Sequence, residues 1–229
     1  MRSHAIALLL ATAALAATVC PGGPRADEVP VPRSYGDAMR WYRDASRAGD
    51  PKAMFYLGLT LEQGLQDRPR PQEALEWYRR SADAGFALAQ FKLGVLYQTG
   101  AIVERDLARA RSWYEKAAVQ GMATAQYNLA VLLDTGGGGP VDQGQAADWY
   151  RKAASSGVAE AYLNLGNLYA RGAGVPADAV EALKWLILAD DAGIEAAAGL
   201  RESVAGVLSE EERARAKAAA ETWKTAHPR

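Results

Sequence analysis

The chain repeats one short pattern five times, and the spacing never changes. A tryptophan recurs every 36 residues, at Trp41, Trp77, Trp113, Trp149 and Trp185. A tyrosine follows each of the first four (Tyr42, Tyr78, Tyr114 and Tyr150), and Leu186 follows the fifth. An alanine precedes each tryptophan by three residues and a glycine follows it by eight. A fixed period of this length is typical of stacked structural repeats.

Each unit contains the pattern of two helices. Asp106, Asp142 and Asp178 lie seven residues before their tryptophans, where a carboxylate can accept the free N–H groups of a first helix. Ser34 takes this place in the first unit, and Pro71 suits the first helical position of the second. The glycines that follow are predicted to end this helix at positive φ, a conformation that glycine adopts without a Cβ penalty: Gly85, Gly121 and Gly157.

The second helix of each unit carries an equivalent leucine, at Leu93, Leu129 and Leu165. Gly94 and Gly166 follow two of these leucines, whereas Ala130 follows the third. Because alanine is accepted, the position requires a small side chain and not a positive φ, so we expect a neighbouring helix to pass close to it. The tryptophans and tyrosines form an apolar stripe at helical spacing and are predicted to be the repeat core.

Composition agrees with helices, since alanine is abundant while β-branched and aromatic residues are few. The predicted fold is an all-α, right-handed α/α solenoid of five 36-residue helix-turn-helix repeats with a C-terminal capping helix. Ser209 and Glu212 have the spacing of a capping box at the start of that last helix. The predicted repeats cover about 34–69, 70–105, 106–141, 142–177 and 178–208, and the capping helix and tail cover 209–229.

The N-terminus has the pattern of an export signal. Arg2 precedes an uncharged apolar run, Ala5–Val19, which is shorter than the ~20 residues that a membrane span requires. We predict a signal peptide over 1–26 and a linker over 27–33, with cleavage after Ala26 or Ala16, or lipidation at Cys20, as alternatives. The expected location is the periplasm of a bacterium, with secretion or a lipid anchor still open. No later segment is apolar enough to be a transmembrane span in the mature chain.

The repeat unit, A-x-x-W-Y-x-K/R-A-A-x-x-G-x-x-x-A-x-x-x-L-G-x-L-Y-x-x-G, resembles the Sel1-like repeat. The match is best over 110–136 and 146–172, and it extends over roughly 34–208. The resemblance implies an adaptor that presents a concave helical surface to another protein, in bacteria often an exported one. One branch of the family has a disulfide in each repeat and acts on β-lactams. No repeat here contains cysteine, so that branch is a poor match.

The residues give no support for catalysis, a cofactor or a metal site. After cleavage at residue 26 the only histidine is His227, which we expect to be a residue of a frayed tail, and nucleophilic sites usually need a histidine base. The glycine run 136–139 lacks the lysine of a phosphate-binding loop. A formal net charge of −1 gives no general argument for nucleic acid. A cell-wall-binding module and a cell-wall hydrolase remain the alternatives to an adaptor.

Partner choice is expected at positions that vary between repeats while the core recurs. Two and three residues after each tryptophan, several repeats carry a basic residue: Arg43, Arg79, Arg80, Lys116, Arg151 and Lys152. We interpret these side chains as a basic stripe that meets an acidic segment of a partner. The alternative is a merely solvated helix surface.

Overall fold

The computed structural model describes residues 35–64 and 68–228, which form eleven α-helices and no strand. The predicted signal peptide, the linker and the proposed cap Ser34 lie outside these ranges. Within the described chain, residues up to Leu93 form one compact unit and residues from Gly94 form a second. The all-α prediction is confirmed, and the units are solenoid segments built from helix pairs.

The first unit contains α1 (Tyr35–Arg47), α2 (Pro51–Gln63), α3 (Pro71–Asp83) and the beginning of α4 (Ala87–Thr99). The α2 helix packs against both α1 and α3. The carboxylate of Asp50 accepts hydrogen bonds from the first N–H groups of α2, and a proline opens α2 and α3, where no N–H is required.

The second unit continues from α4 through seven further helices: α5 (Leu107–Val119), α6 (Ala123–Thr135), α7 (Gln143–Ser155), α8 (Glu160–Arg171), α9 (Ala179–Asp191), α10 (Ala197–Gly206) and α11 (Glu210–Ala226). From α5 to α10, each helix packs against the next one in the sequence. The last helix, α11, returns to pack against α9. This contact between α9 and α11 departs from the sequential order of the preceding helix contacts.

The predicted helix boundaries are confirmed by the hydrogen bonds. Asp106, Asp142 and Asp178 cap α5, α7 and α9 through their side chains. Ser209 and Glu212 form the capping box of α11. The glycines after three of the first helices have the predicted positive φ, which ends each helix and turns the chain into its partner: Gly85, Gly121 and Gly157.

Small residues in the second helices make room for a side chain from the next repeat. A Cβ added to Gly94 would come within 2.5 Å of the Tyr114 ring, and one added to Gly166 would come within 2.7 Å of Leu186. These distances are too short for a carbon contact, so the close approach predicted from the sequence is present. The equivalent leucines, Leu93, Leu129 and Leu165, are buried beside these positions.

The buried aromatic residue of the repeat is the tyrosine. Tyr42, Tyr78, Tyr114 and Tyr150 are at most 1% exposed. The prediction of a buried tryptophan holds only for Trp185, which is 1% exposed. It is wrong for the four other repeat tryptophans, whose side chains are only partly buried: Trp41, Trp77, Trp113 and Trp149. Adjacent residues of a helix are about 100° apart around its axis, so the tyrosine enters the core while the tryptophan reaches its border.

The C-terminal end is more ordered than the sequence indicates. His227 was expected in a frayed tail, but its ring stacks on Trp223, with the ring centroids 3.9 Å apart. The His227 backbone N–H also donates a hydrogen bond to the Trp223 carbonyl. The histidine is therefore part of the terminal packing of α11.

Candidate functional site

The candidate site is the surface of each first helix that carries the tryptophan. We define the Trp face of such a helix as its tryptophan together with the residues three and six positions later. Residues three or four apart are neighbours on a helix surface, so these three side chains form one stripe. On α5 the Trp face consists of Trp113, Lys116 and Val119, and on α7 of Trp149, Lys152 and Ser155.

A cation covers one side of the indole ring in the middle repeats. The Lys116 ammonium lies 3.9 Å from the centroid of the Trp113 ring, and the Lys152 ammonium lies 3.7 Å from that of Trp149. In the first unit, Arg80 lies 4.9 Å from the Trp77 ring. Contacts of this kind contribute ~0.5–1 kcal/mol at exposed sites. They hold a positive charge beside a partly exposed aromatic ring.

The structure divides the six predicted basic residues into different roles. The three that follow tryptophan by three positions, Arg80, Lys116 and Lys152, stack on the indoles. Arg79 forms an ion pair with Glu76, and Arg151 forms one with Asp148 and donates to the Tyr169 hydroxyl. These carboxylates offset part of the charge of their arginines.

The remaining basic residue, Arg43, is exposed on α1. Among the predicted basic residues of the second unit, Lys116 and Lys152 are the best placed to attract an acidic group, because both are exposed and stack on indoles. Sequence reasoning identified these lysines but missed their contacts with the indoles, although the W-x-x-K/R spacing was a signal for such contacts.

The Trp face of α5 is also apolar at its far end. Val119 is 71% exposed, the second-highest value among the exposed large hydrophobic residues of the described chain. Together with the partly exposed Trp113 and the aliphatic stem of Lys116, it gives a surface that is apolar along its length and carries one charge near its middle.

The Trp face of α9 is covered. The Trp223 ring of α11 packs edge-on against Trp185, with centroids 4.7 Å apart. Lys184 lies over both rings, 4.2 Å from the centroid of Trp185 and 5.5 Å from that of Trp223. Leu188 takes the position of the stacked lysine and is 3% exposed. The fifth repeat thus buries a surface that the third and fourth repeats expose.

Two of the buried repeat tyrosines form hydrogen bonds with polar side chains at the border of the core. Tyr78 donates a hydrogen bond to Glu62 at 2.6 Å, and Lys92 forms an ion pair with the same carboxylate. In the next repeat, Tyr114 donates to Gln98, and burial raises the pKa of Tyr114 to about 12. Burial also raises the pKa of Tyr78 and Tyr150 above the ordinary value. Tyr78 and Tyr114 are therefore hydrogen-bond donors at neutral pH and tie the core to polar side chains at its border.

Two pairs of neighbouring carboxylates on the first helices form ion pairs with basic side chains. Glu73 binds Arg70 and Glu76 binds Arg79. At the other end of the chain, Asp190 binds Arg201 and Asp191 binds Lys224. In the described ranges, no group of three or more histidine, cysteine, aspartate or glutamate residues is arranged to hold a metal ion. The same ranges contain no helix with the length and apolarity of a membrane span.

Comparison with protein families gives five consecutive matches to the Sel1 repeat, over residues 27–50, 51–86, 87–122, 123–158 and 159–193. The family unit has the 36-residue period of the sequence but starts at the second helix of each pair. Residues 194–229, which contain α10 and α11, lie beyond the last matched repeat. No curated protein matches the chain significantly.

Two solved structures are similar over most of this chain. The first is a Sel1 repeat protein from Oxalobacter formigenes, with 29% identity, a TM-score of 0.70, and coverage of 84% of this chain and 79% of that one. The second is a protective antigen present in uropathogenic Escherichia coli strains that displays an SLR fold. It has 30% identity, a TM-score of 0.54, and coverage of 86% of this chain. This chain spans half of that antigen's length.

Proposed function

The chain belongs to the Sel1 repeat family, whose repeats serve as scaffolds for protein–protein interaction, and from this we propose that it is an exported adaptor whose Trp faces bind an acidic segment of another protein. The single observation that carries the proposal is the recurring indole with a cation stacked on it. A site of this kind offers a flat apolar ring and a positive charge together, and tryptophan is among the residues enriched in the hot spots of protein interfaces.

The proposal gives different weight to the two kinds of basic residue. Lys116 and Lys152 stack on rings and are exposed, so a partner carboxylate can reach them without displacing an internal ion pair. Arg151 already binds Asp148, and a partner would have to compete with that carboxylate. Exposed charges act mainly on association rate and specificity, and their effect falls with salt.

Crosslinking in cells, followed by affinity capture and mass spectrometry, tests the proposal. We expect the double variant K116E/K152E to lose most of the partner that the wild-type chain recovers, because both cations become carboxylates. The matched control is R215E/K217E, which makes the same charge change on exposed residues of α11 outside the repeats. Equal recovery by both variants would contradict the proposed surface. Circular dichroism and thermal melting establish that each variant is folded.

Export is a separate part of the proposal, supported by the apolar run Ala5–Val19. Fractionation of the producing cells, with intact-mass measurement of the chain, is expected to give a periplasmic product that begins at Asp27. A mass that includes residues 1–26 would contradict cleavage there. A lipid-modified Cys20 would show the alternative anchor, and C20S would then release the chain from the membrane.

A further inference from the structure

The contact between α9 and α11 shows how a helix binds a Trp face in this protein. Trp185, Leu188 and Asp191 follow one another at intervals of three residues on one side of α9, and Lys184 lies four residues before Leu188 at the border of that side. Trp223 contacts Trp185 and Lys184, and Lys224 forms an ion pair with Asp191. Leu188, which lies between these contacts, is buried. Contacts with α11 therefore run along the Trp face of α9, from the buried Trp185 to the exposed Asp191.

The covering helix has a characteristic stripe of its own. Ala216 and Ala220 are fully buried, and Trp223 and His227 continue the same side of α11 at intervals of three and four residues. Small residues allow a helix to approach its neighbour closely, and the indole then supplies most of the contact area. This α11 stripe, small–x3–small–x2–Trp, is the pattern that matches a Trp face.

Three substitutions make this surface of α5 different from that of α9. Lys116 stands where α9 has Leu188, and the exposed Val119 stands where α9 has Asp191. Ser112 stands where α9 has Lys184, so α5 has no cation there to lie over the aromatic ring of a bound helix. A helix that binds α5 therefore meets a cation at the centre and an apolar side chain at the end. A carboxylate near the aromatic residue of that helix would therefore strengthen its binding to α5. A lysine at the end of the helix would not, because α5 has no acidic group at the position of Asp191.

We propose that the Trp face of α5 binds an amphipathic helix of the partner protein, which presents the α11 stripe and a carboxylate toward Lys116. This inference rests on the proposed function and specifies the form of the partner's acidic segment. The covered face of α9 supports it, because the same chain already fills an equivalent surface with such a helix. Trp149 on α7 lies in a similar face, but Ser155 replaces Val119 there, so α5 provides the larger apolar contact.

The probe is a synthetic, fluorescein-labelled peptide of residues 210–228 that carries the substitution K224E. If the peptide bound to α9, its new carboxylate would face that of Asp191, so we do not expect the peptide to displace α11. On α5 it would lie near Val119 and Lys116. Fluorescence anisotropy with the intact mature chain is expected to show saturable binding. W223A in the peptide and W113A in the chain are each expected to weaken it about tenfold or more, as for a central interface tryptophan.

The control variant of the chain is V207A, which truncates another exposed apolar side chain, one that lies outside every Trp face. Its affinity for the peptide should equal that of the wild-type chain. A second variant, K116E, keeps the indole and should weaken binding in a manner that disappears at high salt. A benzophenone group at residue 219 of the peptide, which lies at the edge of the α11 stripe, is expected to crosslink to α5.

Three results would overturn the helix proposal: no binding at millimolar peptide, equal binding by W113A and wild type, or crosslinks on α9. Failure here is distinct from failure of the proposed function. If K116E/K152E loses the cellular partner while the peptide does not bind, the acidic-partner proposal stands and the helical form is wrong. If K116E/K152E retains the partner, the proposed function itself fails.

Discussion

The fourth and fifth repeats place the same residue in opposite environments. Trp149 on α7 is partly exposed and carries Lys152 on its ring, whereas Trp185 on α9 is 1% exposed and lies beneath Trp223. The two helices begin with the same type of aspartate cap and occupy the same place in the repeat. The difference in exposure comes from two rings that pack against Trp185, Trp223 of α11 and Tyr162 of α8.

The third residue after the tryptophan indicates this difference in burial. Lys152 suits a surface that faces solvent, and Leu188 suits one that faces a helix. The cation that stacks on the indole also moves, from the third residue after Trp149 to Lys184, directly before Trp185. A repeat whose Trp face is open thus differs from a covered one in its charge pattern as well as in its exposure.

The largest expected effect comes from removing each indole in turn. W185A should lower the free energy of unfolding by ~3–5 kcal/mol, because it leaves a cavity between α9 and α11. W149A should cost much less, since its ring is only partly buried. Urea denaturation of both variants measures the contrast. W185F is the control for W185A: the Trp185 indole N–H has no hydrogen-bond partner, so phenylalanine should retain most of the stability. Equal losses for W185A and W149A would refute the comparison.

Exchanging the third residue after tryptophan should partly exchange the two environments. L188K places an ammonium group at a buried position between Trp185 and Asp191, which both contact α11, and is expected to cost ~2–3 kcal/mol and to loosen α11. Hydrogen exchange of the α11 amides would show the loosening. The reciprocal change, K152L, lies on an open surface and should alter stability by no more than ~0.5 kcal/mol. Unchanged exchange in L188K would mean that α11 does not depend on the apolar face of α9.

Substituting alanine for a loop glycine should have an intermediate effect on stability. Gly174, in the loop after α8, has a φ of +73°, and a Cβ there would collide with the backbone of Gln143 at the start of α7. G174A should cost ~2 kcal/mol or more through strain and displacement. The control is G199A in α10, where a Cβ would meet nothing within 4 Å, so helix propensity should raise stability by up to ~1 kcal/mol. Thermal melting separates the two, and a stable G174A would contradict the packed loop.

The smallest expected effect is a loss of stability at alkaline pH. Because burial raises the pKa of Tyr114 to about 12 from an ordinary value of 10.0, the unfolded chain releases the phenol proton first as pH rises. Stability is therefore intact below pH 10 and declines above it, by about 1 kcal/mol between pH 9 and pH 11 for this residue. Comparing urea denaturation of wild type and Y114F at both pH values measures this share. An identical pH dependence in Y114F would contradict the assignment.

Sequence reasoning predicted the local structure well, because the helix signals are short-range. The caps at Asp106 and Asp178, the turn at Gly121 and the small residue at Gly94 each follow from neighbouring residues and backbone sterics. The burial of the tryptophans was not predictable in this way. A partly buried and a fully buried indole have the same helical spacing, and the contacts of Trp185 with Trp223 and Tyr162 come from other helices.

The candidate site was predicted in outline and not in its contacts. The basic residues at Lys116 and Lys152 were identified from their variation among repeats. Their stacking on indoles depends on side-chain rotamers, and the exposure of Val119 depends on how neighbouring helices pack. In the fifth repeat, the apolar pair Ile187 and Leu188 was the one signal that a further element covers that helix.

The central claim is that the Trp faces of α5 and α7 are open for a partner while that of α9 is closed by the chain itself. Hydroxyl-radical footprinting with mass spectrometry measures oxidation at each tryptophan, first in the free chain and then in the complex with the captured partner. We predict rapid oxidation of Trp113 and Trp149 in the free chain, protection of both in the complex, and slow oxidation of Trp185 in both states. Rapid oxidation of Trp185, or no protection of Trp113 and Trp149 by the partner, would contradict the account.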